Sequence, residues 1–243
     1  MEERLYQQFY TVEDTHWWFK ARRTILMTYL AKRVNVGDSL KLLDVGCGTG
    51  AFLADASRYF DVYGTDNSPE AIKFCRQRGL TNLYVGTLDD YRAPNPFDVI
   101  TLLDVIEHIE DDLDALRRAR SLLKDGGHVL ITVPAYQWLW SVHDEVNHHR
   151  RRYTRPRLRD VVTKAGFVIE HMSYFNTILF PIAAVRRIIA GTLHTREAAD
   201  FEIPGTITNA ILCRVFGVER YLLPRMSFPF GLSVLCWATK PAP

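Results

Sequence analysis

The stretch Leu40-Lys-Leu-Leu-Asp-Val45, followed by Gly46-Cys-Gly-Thr-Gly50-Ala51, decides the fold. The first six residues form a short β-rich run, the glycines interrupt it, and Ala51 to Phe60 (AFLADASRYF) then has helical spacing. A strand, a glycine turn and a helix in that order open an α/β unit. Glycines are needed where a cofactor lies against the backbone, because any Cβ would hold it away, and the helix that follows offers free N–H groups. The turn alone leaves the cofactor open. Gly46-x-Gly48-x-x-Ala51 also satisfies the dinucleotide pattern GxGxxG/A, and Asp66, twenty residues after Gly46, suits a ribose in either case.

Working outward, the same alternation continues. Asp61 to Asp66 (DVYGTD) reads as a second strand, and Ser68-Pro69-Glu70 as a helix start with proline in the first turn. Asn82 to Gly86 gives a third strand. Phe97 to Leu103 (FDVITLL) is a continuous apolar run of the kind buried on both faces of a parallel sheet. A helix from about Asp112 to Leu123 is expected to end at the glycine signal Asp125-Gly126-Gly127, before the strand HVLITV and Pro134. Arg155 to Ala165 reads as a helix, GFVIEHMSY as a sixth strand and Leu232 to Thr239 (LSVLCWAT) as a seventh. Strand and helix units in this order predict an open, doubly wound α/β sheet with its site beyond the carboxyl ends of the strands.

Composition narrows the function classes. The 243 residues are 47% hydrophobic and 24% charged, which excludes disordered, collagenous and coiled-coil chains. The net charge of +2 implies no nucleic acid. Six arginines between Arg150 and Arg159 (150, 151, 152, 155, 157 and 159) nevertheless make one anionic contact conceivable, against a plain solvated helix start at Thr154-Arg-Pro156. Cys47, Cys75, Cys213 and Cys236 lie far apart without CxxC spacing, so no metal site is expected from them. Those spacings and the sequence Met1-Glu-Glu-Arg, which lacks the features of a signal peptide, predict a cytoplasmic protein.

Four segments, LLDVGCGTG, GTDNSPEAI, FDVITLLDVIEHI and LLKDGGHVLITVP, resemble in order and spacing the class I S-adenosylmethionine-dependent methyltransferases, over roughly Leu40 to Pro134. The resemblance implies a Rossmann-like, seven-stranded, mostly parallel sheet with an antiparallel last strand, and S-adenosylmethionine as cofactor. It places Asp44 and the loop of Gly46, Cys47, Gly48 and Gly50 at the methionine part of the cofactor, and Asp66, with Asn67 beside it, at the ribose. A carboxylate accepts paired hydrogen bonds from a vicinal diol. Leu88 and Asp89 are assigned to the adenine, although the family's acidic residue usually stands where this chain has Thr87. Asp104 ends the fourth strand, and Glu107-His108 follow as in the ubiquinone-biosynthesis type. Asp104 and Glu107 either meet the cofactor or cap the next helix. His16-Trp-Trp-Phe-Lys-Ala-Arg22 resembles an HWWFxxR element of a narrower bacterial subgroup, which puts Trp18 over the cofactor and Arg22 on its carboxylate.

Methyl transfer to a hydroxyl needs a proton acceptor, and a histidine suits that task. The segment WSVHDEVNHHRRRY, from Trp140 to Tyr153, supplies His143, Asp144 and His148 as catalytic candidates together with His149, and Asp144 serves either to orient a histidine or to bind the acceptor. No metal ligands are assigned, since the segment lacks an HxxxH helix or a cysteine cluster. The domain reading is a helical cap over 1–38, an α/β core over 39–174 and 228–241, and a helical insertion over 175–227. In that insertion the uncharged run from Met172 to Val185 has 14 residues, short of the roughly 20 that span a bilayer. Its apolar segments and Arg186-Arg187 point to a small or lipid-linked acceptor and a peripheral membrane contact, with a homodimer as the competing use of the surface.

Overall fold

The computed structural model describes residues 3–34, 40–93, 95–193 and 203–242. Two helices come first, α1 (Glu3–Val12) and α2 (Trp17–Arg33). The alternating part runs β1 (Lys41–Val45), α3 (Ala51–Ala56), β2 (Asp61–Asp66), α4 (Pro69–Gln77), β3 (Leu83–Val85), β4 (Phe97–Leu103), α5 (Asp112–Leu122) and β5 (Leu123–Pro134). A single 3-10 turn (Gln137–Leu139), α6 (Val142–Val146), α7 (Arg155–Lys164) and β6 (Val168–Phe175) follow. The chain closes with α8 (Phe180–Leu193), α9 (Thr206–Gly217), α10 (Glu219–Leu222) and β7 (Ser233–Thr239).

The sheet has seven strands in the order β3-β2-β1-β4-β5-β7-β6. β1 pairs in parallel with β2 and β4, and β4 with β5, whereas β7 runs antiparallel between β5 and β6. This is the class I methyltransferase arrangement that the motifs imply. The chain reverses its direction of strand addition between β1 and β4, which opens the crevice where such sheets bind ligands. Apolar runs explain the centre: Ile100 and Leu102 of β4 and Val129, Leu130 and Ile131 of β5 are fully buried, because helices cover both faces.

One boundary differs from expectation. The helix before β5 does not end on Gly126 and Gly127. α5 stops at Leu122, and Leu123 is already extended because it pairs with Phe97 of β4. Gly126 instead turns the chain at a φ of +77°, its N–H donating to the carbonyl of Lys240.

The two leading helices are tied across the carboxyl ends of β1 and β2. Tyr10 of α1 stacks on Phe74 of α4 at 4.6 Å. Buried Glu13 accepts from Thr49 Oγ1 at 2.5 Å and from Arg78 Nη2 at 2.6 Å, fastening the α1–α2 corner to the glycine turn. His16 caps α2 by accepting from the N–H of Trp18. Trp17 N–H donates to the side chain of Asn209, so that α9 lies along α2. Within 175–227 the described elements are α8, α9 and α10.

Candidate functional site

The glycine turn is built for close approach. Gly46, Gly48 and Gly50 have φ of +67°, +54° and +82°, a region L-residues avoid, and a Cβ on Gly48 would meet nothing within 4 Å. That open space above the backbone is what a ligand needs. Beneath it the loop is fixed, since the N–H groups of Gly46 and Cys47 both donate to the carbonyl of Thr65. Asp66 ends β2 with each carboxylate oxygen accepting one backbone N–H, Gly48 to Oδ2 and Ser68 to Oδ1, both at 2.9 Å. Each oxygen keeps further acceptor capacity for a diol. Burial raises the Asp66 carboxyl, opposed by these N–H bonds. Sequence reasoning missed Tyr6. Burial followed by the charge of Asp66 pushes its phenol up to about 12. No motif marks a tyrosine on a helix sixty residues before the aspartate it covers.

Asp44 lies beneath the turn, almost fully buried, accepting from Thr101 Oγ1 at 2.6 Å. Burial pushes it up to about 7, against the lowering effects of Thr101 and Arg22. Arg22 does not wait free for a cofactor carboxylate. Its Nη2 donates to Asp104 Oδ2 and to Thr132 Oγ1, both at 2.7 Å, because Asp104, at a φ of +58°, turns its side chain back towards α2. The guanidinium also lies 5.3 Å from the centre of the Trp18 ring, and its Nε is buried without a partner. Trp18 thus holds Arg22 against the strand ends, with both Nη2 donors committed to Asp104 and Thr132.

Neither Asp104 nor Glu107 caps the next helix, a role Asp111 performs by accepting from the N–H of Asp114. Glu107 is instead fully buried, with neither carboxylate oxygen hydrogen-bonded. Burial, and then the charge of Asp104, holds it well above the usual carboxylate range. Such an orphaned carboxyl is costly unless a ligand or ion completes it. Beside it stand His108 and His149, whose rings meet edge-to-face at 4.7 Å. One ligand atom from each of Glu107, His108 and His149 falls within 4.8 Å of the others. Burial and then His149 push His108 down to about 4, so it is neutral at physiological pH. A metal-capable group thus exists where sequence spacing assigned none, because its members come from two segments 41 residues apart.

The candidates from the 140–153 segment separate cleanly. Asp144 is fully buried and receives Arg152 in a bidentate pair, Nε to Oδ1 and Nη2 to Oδ2, each 2.8 Å. His149 Nδ1 approaches its Oδ1, also at 2.8 Å. Burial alone would raise Asp144, but His149, Arg152 and the Ser141 N–H hold it well below the usual range. It therefore stays charged and orients His149, one of its two expected uses. His148 sits on an exposed turn at a φ of +57°, and the side chain of His143 lies outside the described residues. Arg152 leaves the solvated arginine run altogether, since it is buried on Asp144.

At the adenine end Leu88 is buried in the core, whereas the exposed Asp89 faces Arg118 of α5 at 3.5 Å. Asn67 is exposed next to Asp66. The residues present fit S-adenosylmethionine: open space over Gly48 and unused acceptor capacity on Asp66 lie at the carboxyl ends of β1 and β2.

Residues 8–172 match a family model described as a methyltransferase domain. Among characterised relatives, the chain is similar to the ubiquinone biosynthesis O-methyltransferase of Aliivibrio fischeri, 35% identical over 44% of this chain and 49% of that protein. It also resembles the enzyme of the same name from Cereibacter sphaeroides, 32% identical over 52% of this chain and 60% of that protein. The chain thus spans about half the length of the curated relatives it matches. Among solved structures it superposes on the N-methyltransferase NodS of Bradyrhizobium japonicum in complex with S-adenosyl-L-homocysteine, with a TM-score of 0.57, 15% identity, and coverage of 94% of this chain and 90% of that one. A methyltransferase of Archaeoglobus fulgidus gives a TM-score of 0.55 at 20% identity, over 89% and 94% of the two chains.

Proposed function

Because this chain belongs to the methyltransferase-domain family and has the class I fold and cofactor crevice, we propose that it transfers a methyl group from S-adenosylmethionine to an oxygen atom of a small or lipid-linked acceptor. The observation that carries the oxygen reading is the group of buried Glu107 with half-buried His108 and His149, which lies just past Asp104 at the carboxyl end of β4. When bound, S-adenosylmethionine supplies a sulfonium methyl with a neutral thioether as leaving group. The protein's part is to position two reactants and to take one proton.

On the cofactor side, Asp66 would hold the ribose hydroxyls, the Gly46–Gly50 backbone would hold the methionine part, and Arg22 would supply positive charge for its carboxylate. On the acceptor side, Asp144 fixes the ring of His149 through Nδ1, and the other ring nitrogen takes the hydroxyl proton. Alternatively, Glu107, His108 and that same His149 nitrogen would hold a divalent cation, which when bound supplies a Lewis acid that lowers the pKa of a nearby hydroxyl, and His149 would then not take the proton. The name of the curated relatives, ubiquinone biosynthesis O-methyltransferase, supports a lipid-linked acceptor. That acceptor favours a protein working peripherally at a membrane, with a homodimer as the competing arrangement.

Calorimetry with S-adenosylhomocysteine, NADH and Mn²⁺ tests the ligands. S-adenosylhomocysteine is expected to bind and NADH not to, and Mn²⁺ to bind the wild type but not Glu107→Gln. Transfer of a labelled methyl group into extracted lipid and metabolite fractions then identifies the acceptor. Label that appears only on amines or carbon would refute the oxygen assignment.

A further inference from the structure

A chain that buries its core this well still leaves apolar side chains of α8 in water. Along α8 and the residue pair before it, Ile178, Ile182 and Val185 fall on one side of the helix and are 42%, 70% and 56% exposed. Phe180 joins them to two further exposed rings, Trp138 at 6.2 Å and Phe230 at 5.4 Å. The same ring lies 5.9 Å from Tyr136, which stacks on Tyr174 at 5.1 Å, and Tyr174 lies 5.9 Å from the guanidinium of Arg155. There a shallow groove of about 290 Å³ is lined by Arg155, Pro156, Arg159 and Tyr174. A chain of ring contacts thus links the exposed aromatic side chains to the cationic rim.

Charge decides what can cover it. From 176 to 232 the sequence carries six arginines, at 186, 187, 196, 214, 220 and 225, against four acids, Glu197, Asp200, Glu202 and Glu219. Glu219 is fully buried and accepts the N–H groups of Asn176, Thr177 and Ile178, so it offers nothing to the outside. A second copy docked by the same face would set the rim of Arg155 and Arg159 against its like. An anionic lipid leaflet presents the complementary charge together with an apolar boundary for the exposed rings. No helix among the described residues is long and apolar enough to cross a membrane, which suits a surface that lies on the bilayer.

We propose that the outer side of α8, with Trp138 and Phe230, docks on anionic membrane, the side chains entering the acyl boundary while Arg155, Arg159 and Arg186 meet headgroup phosphates. The inference rests on the reading of a lipid-linked acceptor and names the surface that would deliver it. Tyr136 follows directly after β5, at the end of the sheet where β1 and β4 also finish, so docking there brings the leaflet beside the acceptor entrance.

Sedimentation with vesicles of pure phosphatidylcholine, or of phosphatidylcholine with one third phosphatidylglycerol, at low and high salt tests the idea in the full chain. Binding to the mixed vesicles alone, released by salt, is expected. Arg159→Ala should weaken it about fivefold, the factor given by roughly 1 kcal/mol per basic residue at an anionic surface. Ile182→Asp should abolish sedimentation while leaving S-adenosylhomocysteine binding at the wild-type value. That second readout separates the two proposals: loss of ligand binding by the wild type would strike the proposed function, whereas intact ligand binding without sedimentation overturns only the docking surface. Equal binding to both vesicle types overturns the role of the arginines. A concentration-dependent dimer that Ile182→Asp dissociates would assign the face to a second copy and overturn the membrane reading.

Discussion

The two halves of the crevice treat their buried polar groups in opposite ways. On the cofactor side, at the ends of β1 and β2, the key protein donors and acceptors are paired: Gly46 and Cys47 with Thr65, Gly48 and Ser68 with Asp66, and Thr101 with Asp44. On the acceptor side, at the end of β4, Glu107 is buried with both oxygens bare, and nearby Asp144 is buried under a full set of partners. The contrast separates two kinds of construction. The cofactor half is a backbone mould whose shape exists before the ligand arrives. The acceptor half is a set of charges held in balance by a few side chains, one of which lacks its counterpart. Substitutions should therefore cost stability where the charges balance and affinity where the mould is altered.

The largest effect should come from unbalancing the acceptor half. Arg152→Ala leaves Asp144 buried and charged with its bidentate partner gone, a loss of about 3 to 5 kcal/mol. Urea denaturation at neutral pH measures it. The double variant Asp144→Ala/Arg152→Ala should lose less than the sum of the two single changes, since removing both charges leaves none uncompensated. Additive losses would break the comparison.

The cofactor half contains one costly group, Asp44, and pH exposes it. Its carboxyl is near 3.8 when unfolded and about 7 in the fold, raised first by burial. Between these values the unfolded chain has released a proton that the folded chain retains, so stability falls as pH rises from about 4 to about 7 and levels off above. Asp44→Asn should remove that slope and gain stability above pH 7, with an upper limit on the order of 4 kcal/mol. The same variant should bind S-adenosylhomocysteine more weakly. A parallel pH profile in wild type and variant would show that Asp44 titrates normally.

The two halves also differ in how legible they are in the sequence. The cofactor half is legible because its demands are local. Glycines at positive φ, an aspartate at a strand end and a proline in the first turn of α4 lie within thirty residues of one another and obey backbone rules. The acceptor half is not, because its partners lie far apart in the chain: Glu107 meets His149, and Arg22 meets Asp104 and Thr132. Reading the 140–153 segment as a loop yields the right neighbourhood, but pairing Asp144 with His149 rather than His143 or His148 depends on the turn at His148. The arginine run misleads for the same reason. Its third member turns inward because a buried carboxylate eight residues earlier claims it. The end of α5 departs from its glycine signal because pairing with β4 outweighs a glycine stop.

Removing the ribose acceptor should have the next effect. Asp66→Ala withdraws a charged hydrogen-bond acceptor worth on the order of 1.5 to 3 kcal/mol, so S-adenosylhomocysteine affinity should fall roughly 10- to 150-fold by calorimetry. Unchanged affinity would put the ribose elsewhere.

The smallest stability effect sharpens the contrast most, because it falls where only a ligand would notice. Two glycines of the turn share the left-handed backbone but differ in what surrounds them. A methyl group on Gly50 would stand 2.8 Å from Cys75 Sγ and 3.0 Å from Leu80 Cδ1, so Gly50→Ala adds a clash to the strain. On Gly48 the same methyl enters open space, and only the backbone strain remains, roughly 1 to 2 kcal/mol. Gly48→Ala should thus fold with a modest loss in denaturation midpoint, smaller than that of Gly50→Ala. The new Cβ would occupy the volume that a cofactor fills against the backbone, so S-adenosylhomocysteine binding should fall by more than the stability does. If Gly48→Ala binds as tightly as the wild type, the open space over the turn is not the cofactor's place, and the mould description of this half fails.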